Sequence, residues 1–374
     1  MPRTLTARRL RLLRLRAQRL GPRPADRAPS VVEAVRDACG VQAQDAAAAA
    51  LGVRARTTGL TAAGVERALR EERTVVRTWC LRSTLHLVAA EDLHWLLPLT
   101  GPVFLARGRR RRLQLELDDE ACDRGLRALR RELSRGPLTR AELRSRLAAE
   151  GIPAEGQALP HLLLYAALLG QICEGPGTAR EPAYVLLEDW LGPLQSPGRE
   201  TALRELACRY VAAYGPAGPE DLAAWSGLPS GDVRTAWRLA APDLVEVEAD
   251  GRAAWVTGEA AERLEDPEPQ EPSAQLLPAF DAYLLGYRDR DFALPAAHAA
   301  RILPGGGMIH PAALADGRAV GTWRHRRGAD GLEVTLEPFE ALPAAARAAL
   351  AAEAADVGRF LGLPAEVRTA ASAE

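Results

Sequence analysis

The chain has 374 residues, with 48 basic against 49 acidic side chains, 47% hydrophobic and 26% charged residues, and a formal net charge of −1. That length makes two or three domains with enough apolar content for packed cores, and the composition excludes a disordered, collagen-like or coiled-coil chain. The five cysteines (Cys39, Cys80, Cys122, Cys173 and Cys208) are widely spaced and form no C-x-x-C, which argues against a disulfide scaffold, a zinc ribbon or a cysteine-ligated cluster.

The longest apolar stretch, around Leu162 to Leu169, is far too short to span a bilayer, and arginines stud the first twenty residues where a secretory signal would be apolar. A soluble, cytoplasmic protein without metal or cofactor is expected. Neither lysine nor asparagine occurs, so all 48 basic residues are arginine. GC-rich codon usage accounts for the bias, and its chemical consequence is to rule out a lysine Schiff base and a G-K-[ST] phosphate loop. Residues 1–120 carry 22 arginines against 13 acidic residues, a net +9, while the remainder carries 26 against 36, a net −10. A basic first third suits an anionic partner, although solvated arginine faces are common.

Leu5–Leu20 alternates arginine and leucine at helical spacing and reads either as a solvated surface helix or as a phosphate-facing one. After the break at Gly21–Pro24, Ser30 can cap a helix to Cys39, Asp45 an alanine-rich helix to Arg56, and Thr61 a helix over Ala62–Arg70. Thr74–Val88 then changes period, and its β-branched and aromatic residues, interrupted at Arg82-Ser83, predict a β-hairpin. Helices followed by a short hairpin describe a winged helix.

The pattern recurs twice. Arg140–Glu150 and Leu159–Leu169 are followed by strands in Ile172–Leu187, and Thr201–Tyr214, Glu220–Gly227 and Gly231–Leu239 by the pair Leu244–Glu248 and Ala253–Thr257. Residues 265–275 read as an acidic, proline-rich linker. Beyond it, Leu276–Arg288 precedes loops, a hairpin of Ala319–Arg326 with Leu332–Phe339, and a terminal helix over Pro343–Phe360. The expected fold is mainly α with β: three tandem winged-helix units (1–125, 126–195 and 196–264), the linker, and a small β-rich domain at 276–374.

The common catalytic patterns are missing, with no G-x-S-x-G, H-E-x-x-H or H-x-E…C-x-x-C, and the six histidines are scattered. Gly305–Gly307 lies in a loop and carries no nucleotide-site context. Asp281, Asp289 and Asp291 read as capping or ion-pairing groups, with Arg288 or Arg290 as partners. Gln42-Ala43-Gln44 is more informative by position than by pattern. It lies just ahead of the helix that Asp45 caps, and in extended chain the i, i+2 spacing puts both amides on one face. Two such amides either hold a water between acceptors and donors or serve as helix-entry polar groups.

Gly40–Arg56 (GVQAQDAAAAALGVRAR), Arg77–Val88 (RTWCLRSTLHLV), Leu276–Arg290 (LLPAFDAYLLGYRDR) and Asp316–Trp323 (DGRAVGTW) together resemble the AlkZ-like (YcaQ-like) winged-helix DNA glycosylases, over almost the whole chain and in the right order. The resemblance implies three tandem winged helices around a DNA channel with a C-terminal β-barrel-like domain. It also implies hydrolysis of the N-glycosidic bond of an alkylated purine, in particular bulky N7-guanine adducts and interstrand cross-links made by natural-product alkylators. The family's Q-x-Q motif falls on Gln42 and Gln44, which it casts as the catalytic pair.

A cationic N7-alkylguanine leaves without a general acid, so an amide pair need only face the oxocarbenium-like sugar with carbonyl dipoles and hold water at C1′. Without lysine, the expected enzyme is monofunctional and leaves an abasic site; an N-terminal amine at Pro2 lacks an adjacent acid to help it substitute. The expected partner is double-stranded DNA with alkylated guanine, met by a monomeric, nucleoid-associated protein. Contacts are expected from Arg77, Arg82 and His86 on the first hairpin and from Arg107, Arg109, Arg110, Arg111 and Arg112 in the densest basic run. Tyr283, Tyr287 and Arg288 are expected to line the channel, and Trp79 and Leu85 to face the core. A non-catalytic winged-helix regulator and a housekeeping glycosylase for small alkyl lesions are the alternatives.

Overall fold

The computed structural model describes residues 2–21, 26–177, 181–269 and 272–370; the proposed break at 22–24, residues 178–180 of the second hairpin, linker residues 270–271 and the last four residues lie outside this set. Helix starts fall where the sequence offers an oxygen to an orphan N–H. Thr6, Ser30, Asp45, Thr61, Asp118 and Thr139 each accept from the backbone N–H three residues on, and Thr139 with Glu142 forms a reciprocal capping box.

Helices and hairpins alternate. Val31–Asp37, Ala46–Arg56 and Ala62–Arg70 accompany a three-stranded sheet in which Leu85–Ala89 lies between Val41–Gln42 and Val75–Trp79. Asp119–Leu133, Arg140–Ala149 and Ala158–Leu168 accompany a second, with Ala183–Leu186 between Leu138–Thr139 and Ile172–Gly175. Arg199–Tyr214, Pro219–Ser226 and Ser230–Ala240 precede a third, built on the hairpin Leu244–Ala249 with Arg252–Thr257.

The third sheet takes its outer strand from the start of the chain. Arg3–Leu5 pairs parallel with Leu244–Ala249, and Leu5, Leu10 and Leu13 pack with Val247, Ala249, Ala254 and Val256. The span 1–125 is therefore divided between two places in space. The helix that follows, Ala7–Ala17, is neither solvated nor free for phosphate. Arg9 donates to the carbonyls of Arg263 and Asp266 at 2.6 Å each, and Arg8 bonds Glu268 and the carbonyl of Pro269. Arg14 stacks on Tyr287 and Phe292, 4.0 and 4.2 Å from their ring centroids. The acidic stretch expected as a free linker is thus fastened by the basic helix, and a strand, Ala274–Leu277, already begins inside it.

Two helices, Leu93–Gln114 and Asp119–Leu133, fill a region without a sequence assignment. Pro98 and Pro102 sit inside the first, where proline ordinarily interrupts a helix. A Cβ at Gly101 would lie 2.3 Å from the carbonyl oxygen of Leu168, so glycine permits this crossing with Ala158–Leu168.

The C-terminal domain is an open five-stranded sheet and not a barrel. Its spatial order is Ala274–Leu277, Ala312–Ala315, Arg318–Arg327, Leu332–Pro338 and Ala365–Thr369. The two outer strands do not pair with each other, and the last joins parallel after the helix Ala344–Leu361. That helix buries Leu350, Val357 and Phe360 in one core with Val334, Leu336 and Trp323 of the sheet.

Candidate active site

Gln42 and Gln44 occupy the stretch that leads from the short strand Val41–Gln42 into the helix Ala46–Arg56. The backbone is extended: Gln42 pairs with His86, and the N–H of Ala43 donates to the carbonyl of Leu85 at 2.7 Å. Period-two alternation buries Val41 and Ala43, at 2% and 0% exposure, and turns the glutamines to the other face. Gln42 is half-buried and Gln44 exposed. Nε2 of Gln42 donates to Oε1 of Gln44 at 2.8 Å. Asp45 accepts from the N–H of Ala48 at 3.0 Å, so the pair stands at a capped helix entrance.

Two arginines of the adjoining hairpin hold this stretch. Arg77 donates from Nε to the carbonyl of Ala43 at 2.8 Å and from Nη2 to that of Gln44 at 3.5 Å, while Nη1 pairs with Glu174 at 2.5 Å. Burial pushes the Glu174 carboxyl above its ordinary range, and the Arg77 charge opposes that shift. Arg82, in the bend between the strands, donates from Nη2 to Oε1 of Gln42 at 3.2 Å and from Nη1 to the carbonyl of Trp225. Arg82 and Ser83 have φ of 53° and 59°, a left-handed conformation that costs a non-glycine residue about 1–2 kcal/mol. Arg77 and Arg82 thus hold the glutamine stretch itself, one by its backbone and the other by a side chain.

His86 is not a surface contact. It is 2% exposed, its Nδ1–H donates to the carbonyl of Thr84 at 3.0 Å, and burial together with the Arg82 charge pushes its pKa down to about 3. It is a neutral side chain inside the sheet, opposite Gln42. Tyr283 and Tyr287 are corrected in the same way. At 0% and 1% exposure, they donate their hydroxyls to the carbonyls of Gly317 and Tyr214 at 3.0 and 2.9 Å, as satisfied core tyrosines. Arg288 is exposed, but it borders a cavity of about 730 Å³ whose lining includes Glu220, Asp221, Asp289 and Asp291, surroundings that disfavour a phosphate. Asp281 pairs with neither Arg288 nor Arg290; it caps the helix Ala282–Leu285 and forms a buried bidentate pair with Arg56.

The basic run divides. Arg107, Arg109, Arg110 and Arg111 are exposed along the last turns of Leu93–Gln114, whereas Arg112 turns inward, 4.7 Å from the ring centroid of Tyr165 and bonded to the carbonyl of Leu105 at 2.9 Å. Arg107 donates to the carbonyl of Gly227 at 2.5 Å, and a Cβ on Gly227 would lie 3.1 Å from Cγ of Arg82. The arginine-rich helix end therefore connects through Gly227 and Arg82 to Gln42. A cavity of about 340 Å³ lies there, lined by Phe104, Leu164 and Tyr165 together with Arg82, Arg107 and Arg112. Trp79 and Leu85 do face inward, and Trp79 stacks on Tyr184 with centroids 6.3 Å apart.

Sequence reasoning missed His325 as a neighbour of the site. His325 stacks on Trp323 with centroids 5.6 Å apart and lies close enough to Asp45 to feel its charge. His325 is plain in the sequence, but only the strand Arg318–Arg327 carries it near Asp45. Among the described residues, no cluster of His, Cys, Asp and Glu could hold a metal ion, and no helix is long and apolar enough to cross a membrane.

The stretch that holds these paired amides lies within a region that matches a known family. The model described as DNA glycosylase AlkZ-like matches residues 35–360, and the chain belongs to that family. It is similar to the interstrand DNA cross-link repair glycosylase of Streptomyces sahachiroi, 31% identical over 382 aligned positions that cover 94% of this chain and 95% of the relative. It also superimposes on the solved Streptomyces sahachiroi DNA glycosylase AlkZ with a TM-score of 0.82 and 28% identity, covering 97% of this chain and 100% of that one.

Proposed function

We propose that this protein is a monofunctional DNA glycosylase that hydrolyses the N-glycosidic bond of bulky N7-alkylguanine adducts in double-stranded DNA, interstrand cross-links included. Acting as a monomer, it would serve repair of, or self-resistance to, a genotoxic natural product. The observation that carries this reading is the accessible pair Gln42–Gln44, bonded amide to amide at 2.8 Å. The similarity to a cross-link repair glycosylase supports the substrate class.

An N7-alkylated guanine is cationic, so its glycosidic bond breaks without protonation of the base. What the protein must supply is an environment for the oxocarbenium-like sugar and a positioned water. Each Gln Oε1 keeps a second lone pair beyond the bond it already accepts, so two carbonyl dipoles remain to face developing positive charge and to take a proton of the water. An amide is a poor base, which confines the chemistry to activated, cationic lesions. The exposed Arg107, Arg109, Arg110 and Arg111 are the phosphate contacts in this reading.

The test is incubation with a duplex cross-linked between guanine N7 atoms by a nitrogen mustard, followed by hot alkali. Strand breaks at the modified guanines are expected, and borohydride should trap no covalent enzyme–DNA species because the chain has no lysine. Tight binding of one DNA sequence without excision would replace this reading by a regulator, and excision of small N7-alkyl lesions alone by a housekeeping enzyme.

A further inference from the structure

We infer that Arg82 is a positioning residue that fixes the hydrogen-bonding sense of the glutamine pair, and so decides which ends of the two amides face a substrate. The inference rests on the proposed glycosylase reading and assigns to Arg82 a role other than phosphate contact.

A primary amide can turn over about its terminal bond at little cost, because its carbonyl and amino ends have similar shape. Two adjacent amides can therefore pair in either sense, Gln42 giving to Gln44 or the reverse. A guanidinium has donors and no acceptor. With Nη2 of Arg82 3.2 Å from Oε1 of Gln42, the carbonyl of Gln42 must face Arg82, which sends its Nε2 toward Oε1 of Gln44 at 2.8 Å. The order that results is Arg82 to Gln42 to Gln44. It leaves the amino group of Gln44 at the exposed end and one free lone pair on each carbonyl.

Arg82 itself is held on all sides. Its backbone is left-handed, Nη1 is anchored on the carbonyl of Trp225, and its stem passes so close to Gly227 that a Cβ there would come within 3.1 Å of Cγ. His86, opposite Gln42 in the sheet, is neutral and adds no competing charge. Trp225 and Gly227 stand at the end of the helix Pro219–Ser226, so the third unit sets the amide pair of the first through this one side chain.

Single-turnover excision of the mustard-cross-linked duplex separates this role from a structural one. Arg82→Gln, which can give or accept, is expected to slow excision by about 10- to 100-fold. The slope of log affinity against log salt should stay as in the wild type. A phosphate-contacting arginine would instead lower that slope by about 0.9. Arg82→Lys, still a pure donor, should recover most of the rate. In a Gln42→Ala background, Arg82→Gln should have no further effect, whereas a loss through unfolding would persist there. An unchanged rate in Arg82→Gln, a full further loss in the Gln42→Ala background, or a lowered salt slope would each overturn the inference.

Side-chain amide spectra of protein labelled with ¹⁵N-glutamine read the same geometry without any reaction. The resonances of Gln42 and Gln44 should shift in Arg82→Gln and hold in Arg82→Lys, and identical spectra in all three proteins would overturn the assignment of Arg82. A wild type that excises nothing while these spectra behave as expected would leave Arg82 holding the amides and sink the glycosylase reading instead.

Discussion

Nε2 of Gln42 lies 2.8 Å from Oε1 of Gln44, two residues on, across an extended stretch whose alternate side chains are buried. The two amides form one unit, and their effects on excision should not add. Gln42→Ala and Gln44→Ala are each expected to lower single-turnover excision by about 100-fold or more, with duplex affinity nearly unchanged. The double variant should fall little further than the worse single one. The alkali-cleavage assay and a binding titration measure both.

Arg56 and Asp281 join the helix Ala46–Arg56 to the start of the helix Ala282–Leu285. Their side chains are 0% exposed and bonded at 2.8 and 2.9 Å, and Gln18 accepts from the same guanidinium at 2.7 Å. Asp281→Ala leaves a buried guanidinium without its counter-ion and should cost about 3–5 kcal/mol in denaturant unfolding. Arg56→Met with Asp281→Leu should cost less than Asp281→Ala alone, because no charge is then left buried.

His86 makes stability depend on pH in a stated direction. Its folded-state pKa lies near 3, below the ordinary 6.5, so between those values the unfolded chain binds a proton that the folded one does not. Stability from this group is complete above about pH 6.5 and is lost as pH falls toward 3, at about 1.4 kcal/mol per pH unit. The melting-temperature difference between the wild type and His86→Gln should therefore move against the wild type on acidification from pH 7 to pH 4.5.

The arginine run holds exposed and buried members that should respond differently to substitution. Arg110→Gln and Arg111→Gln remove exposed charges and should each weaken duplex binding while lowering the salt slope by about 0.9. Arg112→Gln removes a side chain that is 8% exposed and stacked on Tyr165, and should lower the melting temperature while leaving the salt slope unchanged. Salt titrations and thermal melts distinguish the two behaviours.

Much of this architecture could be read from local rules. Asp45, Ser30 and Thr61 announced their helices because an oxygen at the N-cap satisfies N–H groups that exist before any tertiary contact. The hairpins Val75–Trp79 with Leu85–Ala89 and Arg318–Arg327 with Leu332–Pro338 followed from their alternation and turn residues. The helix Leu93–Gln114 did not, because its two prolines contradict helix propensity and tertiary packing overrides it.

By itself the sequence determined that Gln42 and Gln44 share one face at a helix entrance, that the chain has no lysine for imine chemistry, and that its first third is basic. These are properties of spacing and composition, set within a few residues. Only the tertiary structure decided what each arginine does. Arg9 binds the acidic stretch more than 250 residues away, Arg56 is neutralised by Asp281, Arg112 lies under the surface, and Arg82 reaches Gln42 from the neighbouring hairpin. A guanidinium seeks whichever acceptor the fold brings within about 3 Å, and acceptors distant in sequence are brought near by packing rather than by local pattern.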